Sequence, residues 1–242
     1  YECHGYTNYK NIIFRCWSAY GHGLVAIQDA IPYSCNVFFL ETAKILGGDP
    51  LYTWAKNFGI GEKTGIDLPY EKSGNMPKMM NTATVMNVAI GQGALLTTPL
   101  QLARIYAAVA NGGTLIQPHL LLKLTNGQGE VVRLFKQEKK QKLSIQPATL
   151  DTLRMALLDV VTRGTAKNTG LEVYKVAGKT GTAETGRQKD NHAWFVGYAP
   201  YDSPQYCFVI LVEHTPGHGA EITGPIAREL MSYLFPELNE AS

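Results

Sequence analysis

The spacing of apolar residues predicts two consecutive helices near residue 40. Residues 36–46 are mostly apolar, and Gly47 follows them as a helix-ending residue. Asp49 and Pro50 give a second start signal, with the aspartate as N-cap and the proline in the first turn. The apolar face of this second helix consists of Leu51, Trp54 and Phe58. We therefore expect two packed helices before residue 59.

Two longer helices are predicted further along the chain. Thr98 and Pro99 repeat the start signal before residues 100–111, where large apolar side chains recur at helical spacing. Pro147 opens another periodic stretch that runs to about residue 161. Each stretch has one apolar face, so we expect both helices to pack on a core.

Short β-rich stretches separated by turn residues dominate the last third of the chain. The predicted strands lie at 173–177, 193–198 and 206–213. A hairpin around Asn126 and Gly127 is predicted from 115–124 and 130–135, and a closing helix from 225–234. Residues 1–33 read as irregular. This order predicts an α+β fold in which an antiparallel sheet is flanked by helices.

Composition describes an ordinary globular domain. Of the 242 residues, 45% are apolar and 17% are charged, which excludes a disordered or coiled-coil chain. The formal net charge of +2 gives no argument for a nucleic-acid partner, and none is expected. The sequence has no apolar run of about 18 residues, the length that a membrane-spanning helix requires.

Three of the four cysteines lie within the first 35 residues. Cys3, Cys16 and Cys35, together with His22, offer three thiolates and one imidazole, a ligand set that suits structural, tetrahedral zinc. The spacings are longer than those of a zinc finger. A Cys3–Cys16 disulfide or unpaired buried thiols are the alternatives. Cys207 lies in an apolar predicted strand and is expected in the core.

Two short motifs carry candidate chemistry. Lys179 begins a KTGT sequence that follows the predicted strand 173–177, and Ser34 begins a Ser-Cys-Asn triplet before a predicted helix. Each is weak alone, because a lysine at a strand edge and a serine N-cap are common. Ser73 begins a second Ser-x-Asn triplet in a turn-rich stretch, which shows how easily the pattern arises.

Together the motifs resemble part of the set Ser-x-x-Lys, Ser-x-Asn, Lys-Thr-Gly of serine penicillin-binding proteins and β-lactamases. Longer stretches extend the resemblance to class B penicillin-binding proteins, and to their cell-elongation branch most of all. These stretches are GIDLP at 65–69, IGQG at 90–93, TTPLQLA at 97–103, ANGG at 110–113, AGKTGTAE at 177–184 and AWFVGYAP at 193–200. The resemblance covers nearly the whole chain and implies a transpeptidase domain of the penicillin-binding and serine β-lactamase type.

The resemblance also implies a role for each motif residue in a peptidoglycan D,D-transpeptidase. Ser34 relays a proton to the leaving amine, Asn36 binds the substrate amide, and Lys179 supplies positive potential. The substrate carboxylate is held at an edge formed by Thr180, Gly181 and Thr182, and the Thr182 N–H forms half of an oxyanion hole. Some members of the elongation branch carry zinc at positions like Cys16, His22 and Cys35.

The sequence departs from the family pattern in two places. None of its serines is followed three positions later by lysine, so we expect the nucleophile in a part that is absent here and expect this chain alone to be inactive. The stretch 77–88 is shorter than the family pattern and lacks its tryptophan-containing segment. Residues 1–242 are therefore interpreted as a partial transpeptidase domain whose N-terminal part is missing, with 1–35 as a zinc-binding segment.

The expected partners follow from the resemblance. They are peptidoglycan stem peptides, β-lactams and the cell-elongation machinery, including a membrane glycosyltransferase. The expected location is the periplasmic, extracytoplasmic face of the cytoplasmic membrane, with an anchoring helix upstream of this chain. A non-catalytic penicillin-binding scaffold or sensor, and a D,D-carboxypeptidase or β-lactamase, are the alternative functions.

Overall fold

The computed structural model describes residues 1–78, 81–135, 140–186 and 191–241. The described helices are α1 (Ile27–Ala30), α2 (Asn36–Leu46), α3 (Gly48–Asn57), α4 (Thr82–Ala89), α5 (Pro99–Ala110), α6 (Pro147–Thr162) and α7 (Gly219–Leu234). The described strands are β1 (Glu2–Cys3), β2 (Tyr6–Tyr9), β3 (Ile12–Arg15), β4 (Gly23–Leu24), β5 (Thr114–Ile116), β6 (Lys123–Thr125), β7 (Val131–Leu134), β8 (Lys140–Lys142), β9 (Ala177–Glu184), β10 (Asn191–Ala199) and β11 (Tyr206–Thr215).

The main sheet is antiparallel and has the strand order β11-β10-β9. On one face Phe195 and Phe208 pack into a buried cluster with Val160 of α6 and Met231 of α7. On the other face Tyr198 joins a second cluster to which α5 and α6 contribute. Burial of apolar residues on both faces stabilises this layer. The α+β prediction, with an antiparallel sheet flanked by helices, is confirmed.

Residues 1–35 contain more regular structure than predicted. β1 pairs with β4 and β2 pairs with β3, both antiparallel. These two-stranded sheets are small, and such pairs are marginally stable by themselves. Their buried cluster includes three cysteines together with Val25 and Ala30. The irregular reading of 1–33 was therefore wrong about the backbone, because short paired strands give little periodic signal.

The helix predictions mostly agree with the structure. α2 matches 36–46, and Thr98 caps α5 in a capping box with Gln101. α3 differs in its start, since Gly47 is the N-cap and Asp49 lies inside the first turn without a capping bond. α4 was not predicted, although Asn81 caps it by accepting from the Thr84 N–H. Of the short stretch 77–88, residues 79 and 80 lie outside the described residues.

Three predicted boundaries in the second half were wrong. Residues 172–174 form a 3-10 turn that ends at Lys175 in the left-handed region, so the strand begins at Ala177 and contains the KTGT sequence. The predicted strand 115–124 is two short strands, β5 and β6, of which only β6 pairs in the predicted hairpin. α7 begins six residues before Pro225, because a capping box between His218 and Glu221 starts it there.

Within the described residues, no helix is both long enough and apolar enough to cross a lipid bilayer.

Candidate active site

Ser34 and Lys179 meet although 145 residues separate them in sequence. The Lys179 Nζ donates to the Ser34 Oγ at 2.9 Å and to the Thr180 carbonyl, also at 2.9 Å. Both side chains are partly buried. The contact places the serine of the Ser-x-Asn triplet beside the lysine of the KTGT strand, as the motif hypothesis requires.

The turn that carries Ser34 has an unusual backbone. Ser34 has a φ of 52°, in the left-handed region that few residues other than glycine adopt. Cys35, not Ser34, is the N-cap of α2, and it makes no side-chain capping bond. Asn36 anchors its Nδ2 on the Arg15 carbonyl at 3.2 Å. The simple N-cap interpretation of Ser34 is therefore wrong, and the strained turn aims its hydroxyl at Lys179.

Residues after α6 clamp this turn from the other side, and the sequence did not reveal them. Arg163 donates to Asp29 and Asp159, each at 2.9 Å, and to the Gln28 carbonyl at 2.8 Å. The hydrogen bond to Asp159, and to a lesser extent the one to Asp29, raises the pKa of Arg163 above its ordinary value. Gly164 follows, where a Cβ would lie 2.4 Å from the Pro32 carbonyl oxygen. Only glycine therefore allows this close approach.

The KTGT side chains lie on two faces of β9. Lys179 is opposite Val196, whereas Thr180 is opposite Phe195 on the α7 face of the sheet. The Thr180 hydroxyl is buried and lies 2.9 Å from the Thr165 hydroxyl. The Thr182 hydroxyl accepts from the Gly219 N–H at 3.0 Å. Because the Thr182 hydroxyl only accepts in this bond, its O–H can still donate; the carboxylate-binding role of the two threonines stays a prediction.

The outer edge of β9 has no strand partner among the residues that the structure describes. Carbonyls of Thr180 and Thr182 face this edge, since Lys179 bonds the first and Gln92 Nε2 bonds the second at 3.2 Å. In an antiparallel ladder the N–H and C=O of one residue point to the same side. The Thr182 N–H therefore also faces the open edge, where an oxyanion hole requires a donor.

Burial has a direct effect on Lys179. Desolvation lowers the pKa of its ammonium group to about 8. Carbonyl and hydroxyl oxygens contact the amine, and the structure gives Lys179 no ion pair with a described carboxylate. At pH 7 the amine is still mainly protonated, so Lys179 brings one poorly solvated positive charge to the site.

Ser73 does not belong to this site. The Asn75 side chain donates to the Ala94 carbonyl at 2.7 Å, and its backbone bridges to Leu96. Buried Gln101 donates to the carbonyls of Glu62 and Ser73, both at 2.8 Å. This second Ser-x-Asn triplet is part of a structural junction, and the structure places Ser34, not Ser73, in contact with Lys179.

Cys3, Cys16, His22 and Cys35 converge into one cluster beside the Ser34 turn. Their ligand atoms all lie within 4.8 Å of one another, and the three thiols are unpaired and buried. His22 Nδ1 lies 3.7 Å from the Cys3 Sγ and 3.5 Å from the Cys16 Sγ.

Zinc fits this donor set. Tetrahedral zinc with Zn–S bonds of about 2.3 Å holds its ligand atoms roughly 3.5 to 4 Å apart. The cluster has that scale. The structure contains three free, buried thiols and not the Cys3–Cys16 disulfide, which was one of the two alternatives to zinc; unpaired buried thiols were the other. The His22 Nε2 is buried without a hydrogen-bond partner among the described residues, while Nδ1 faces the thiols. Cys207 lies apart, with its thiol on the Ala103 carbonyl at 3.2 Å.

Curated proteins with similar sequences include a peptidoglycan D,D-transpeptidase and a sporulation protein. The chain is 34% identical over 243 residues to the peptidoglycan D,D-transpeptidase MrdA of Acinetobacter baumannii, covering 88% of this chain and 35% of that protein. It is also 34% identical over 244 residues to the stage V sporulation protein D of Bacillus subtilis, covering 97% and 38% respectively. The chain therefore spans well under half the length of these relatives.

Solved structures with a similar fold include two penicillin-binding proteins. Pseudomonas aeruginosa PBP2, in complex with WCK 5153, aligns with a TM-score of 0.85 at 30% identity over 97% of this chain and 55% of that one. Helicobacter pylori PBP2, in its complex with MreC, aligns with a TM-score of 0.83 at 29% identity over 98% of this chain and 45% of that one.

The match to a family description extends over almost the whole sequence. Residues 1–232 match the family described as penicillin binding protein transpeptidase domain. This range includes Ser34, Lys179 and all four members of the cysteine and histidine cluster. The chain belongs to the penicillin-binding protein transpeptidase family.

Proposed function

We propose that this chain supplies the Ser-x-Asn and Lys-Thr-Gly motifs of a peptidoglycan D,D-transpeptidase that cross-links stem peptides and is acylated by β-lactams. The observation that carries the proposal is the 2.9 Å contact between Lys179 Nζ and Ser34 Oγ beside the open edge of β9. Two distant motifs meet there with the geometry that proton transfer needs.

The proposed reaction has two acyl transfers. A serine nucleophile attacks the D-Ala-D-Ala carbonyl, the peptide C–N bond breaks, and D-alanine leaves after its amine gains a proton. No Ser-x-x-Lys motif occurs in these 242 residues, so that serine belongs to another part of the protein. Ser34 passes the proton to the leaving amine and is itself reprotonated from the nucleophile. The amine of a second stem peptide then takes the acyl group and restores the serine.

Charge and backbone groups of this chain stabilise the transition state. Lys179 lowers the energy of negative charge that develops near Ser34 and attracts the substrate carboxylate. The outward Thr182 N–H donates to the oxyanion, and loss of such a donor costs about 3 kcal/mol. Asn36 binds the substrate amide from a position fixed by its bond to the Arg15 carbonyl.

The substrate-binding edge is formed by Thr180, Gly181 and Thr182. A Cβ at Gly181 would meet only the Trp194 Cβ, at an ordinary 3.5 Å. The protein would therefore accommodate a side chain at position 181. Glycine at this position instead lets a ligand come close to the backbone of β9. The Thr182 hydroxyl accepts from the Gly219 N–H and can still donate its O–H to a substrate carboxylate. Thr180 can do the same when Thr165 is the donor of their shared hydrogen bond.

Zinc is the proposed structural cofactor, held by Cys3, Cys16, His22 and Cys35. The bound metal links β1, the segment after β3 and the N-cap of α2. Because Cys35 lies between Ser34 and Asn36, the same ligand set fixes the turn that presents both residues. Metal binding of this kind contributes free energy of folding directly.

The proposed setting is the extracytoplasmic face of the cytoplasmic membrane, where stem peptides occur. The structure of Helicobacter pylori PBP2 with MreC supports elongation-machinery proteins as partners. We extend this to a membrane glycosyltransferase that supplies the glycan strands. An anchoring helix upstream of residue 1 completes the proposal.

The test of this function follows D-alanine release from a stem-peptide substrate by the whole gene product that carries this chain. Release should rise, and a cross-linked product should form, when an acceptor amine is added. Release without any cross-linked product would indicate a carboxypeptidase, and no release would indicate a scaffold. The 242-residue chain alone should gain no mass with benzylpenicillin, and an increase of one drug mass would overturn the assignment of the nucleophile.

A further inference from the structure

Gln92 connects the turn after α4 to β9, the strand that carries Lys179. Gly91 and Gly93 flank it with φ of 74° and 78°, values that favour glycine. A Cβ at Gly91 would meet nothing, so the backbone conformation, not lack of space, requires glycine there. The Gln92 N–H donates to the Asn87 carbonyl at 2.9 Å. This turn fixes the backbone of Gln92 independently of β9, and the side chain then reaches the Thr182 carbonyl at 3.2 Å.

Thr182 is held on three sides. Ala193 is opposite it in the sheet, the Gly219 N–H bonds its hydroxyl at 3.0 Å, and Gln92 bonds its carbonyl. A Cβ at Gly219 would lie 2.4 Å from the Gly181 carbonyl oxygen, so the start of α7 lies directly against this strand. Both backbone groups of Thr182 face the open edge: Gln92 bonds the carbonyl, and the N–H is the donor presented to a ligand.

We propose that Gln92 is a positioning residue that holds the Thr182 N–H in the orientation required of an oxyanion donor. The inference rests on the proposed transpeptidase function. Donors act best when their direction is fixed before charge develops. The Thr182 N–H and C=O lie in adjacent peptide planes that meet at its Cα. A carbonyl held by Gln92 therefore restrains the φ and ψ of Thr182, and with them the direction of the N–H.

The same contact is compatible with a peptide that adds to the edge of β9. A carbonyl oxygen has two lone pairs, so Thr182 can accept from Gln92 and from a substrate amide together. An added strand would use the Thr182 carbonyl and N–H as its partners. Gln92 therefore braces the edge without blocking it.

A glutamate substitution gives a signature that a merely structural role does not. Gln92→Glu keeps the size of the side chain, but an ionised carboxylate cannot donate and repels the Thr182 carbonyl. A protonated carboxyl donates again. The variant should therefore recover as pH falls towards the ordinary glutamate pKa of about 4.3. Gln92→Leu has no donor at any pH and should not recover.

The experiment measures acylation of the whole gene product by benzylpenicillin, separating the maximal rate from the half-saturating concentration. At pH 7.5 both variants should lower the maximal rate by about 10- to 100-fold and change the half-saturating concentration less than threefold. At pH 5 about one glutamate carboxyl in six is protonated, so Gln92→Glu should regain about 2.5-fold after a 10-fold loss and about 17-fold after a 100-fold loss, relative to wild type at that pH, and Gln92→Leu should regain nothing. Wild-type rates in both variants, or a change in half-saturation alone, would overturn the proposal.

Gln117→Glu is the matched control, since it makes the same amide-to-carboxylate change at a side chain that donates to a backbone carbonyl outside β9, that of Gly65. It should leave the maximal acylation rate within twofold of wild type.

A second arm uses the 242-residue chain itself and measures amide hydrogen exchange. Gln92→Leu should speed exchange at residues 181–184 at least tenfold and leave β11 unchanged, and equal exchange would contradict the proposal. Failure of wild type to acylate would reject the proposed function, whereas the exchange arm still decides the role of Gln92.

Discussion

The segment 1–35 and the β9–β11 sheet each supply one member of the Ser34–Lys179 pair, and they are stabilised differently. Phe195 and Tyr198 of the sheet are completely buried between helices. In the segment 1–35, Trp17, Tyr20 and Leu24 are exposed, and its buried cluster contains three cysteines. The sheet has an apolar core of its own, whereas the segment has paired strands around the cluster of three cysteines and His22.

This difference shows how the site is assembled. Lys179 lies on β9, which pairs with β10, and apolar clusters on both faces of the sheet pack against β10. Ser34 lies in a strained turn, next to Cys35 and close to the ion pair between Arg163 and Asp29. Weakening the cysteine and histidine cluster should therefore move Ser34 and leave Lys179 where it is.

Loss of the metal is the largest expected effect. Elemental analysis of purified protein should find about one zinc per chain. Cys16→Ser and His22→Ala should lose the metal and lower the free energy of unfolding by several kcal/mol. Hydrogen exchange should speed up in residues 1–35 and remain slow in β10, because only the front segment depends on the cluster.

Cys207→Ser is the matched control for this prediction. Its thiol bonds the Ala103 carbonyl away from the cluster, so the variant should keep its zinc. Metal-free wild-type protein in which Cys3 and Cys16 are bridged would show that the cluster is a disulfide site, and the account of the segment 1–35 would then be wrong.

Substitution of Lys179 in β9 is expected to change the free energy of unfolding by less than loss of the metal does. Its pKa of about 8 lies below the value near 10.4 of an unfolded lysine, so the unfolded state binds more protons between these pH values. Stability therefore rises with pH across that window. Lys179→Met removes this dependence and should raise the free energy of unfolding at pH 7 by about 1 kcal/mol while it impairs acylation.

The control is Lys175→Met, an exposed lysine paired with Asp202. Urea unfolding at pH 7, 8.5 and 10 measures both variants against wild type. The gap between wild type and Lys179→Met should shrink as pH rises, and the Lys175→Met difference should stay within about 0.5 kcal/mol across the series. A constant gap for Lys179→Met would show that burial does not penalise its charge.

Sequence patterns predicted the parts of the fold that depend on local signals. The start of α5 follows from Thr98 and Pro99, and the end of α2 from Gly47. The strand that carries Lys179 was misplaced because 173–177 has strand-like composition, while Lys175 adopts a left-handed backbone. Pro225 was taken for a helix start, although a capping box at His218 precedes it.

Contacts between distant residues mark the limit of the sequence argument for the site. The motifs indicated Ser34, Asn36 and Lys179, and the ligand types indicated the cluster of Cys3, Cys16, His22 and Cys35. Gln92 lies in a recognised motif, but no local pattern shows that it reaches Thr182 across 90 residues. Arg163 and Thr165 carry no motif, and their contacts with Asp29 and Thr180 become visible only once the chain is folded.

The central claim is that Ser34, and not Ser73, works with Lys179 in acyl transfer. The most direct test is the second-order rate constant for acylation by benzylpenicillin, measured on the whole gene product with Ser34→Ala and Ser73→Ala. Ser34→Ala should lower it by about 100-fold or more, because proton relay is lost. Ser73→Ala should stay within threefold of wild type, since Ser73 belongs to a structural junction. Equal rates in the two variants, or a larger loss in Ser73→Ala, would contradict the account.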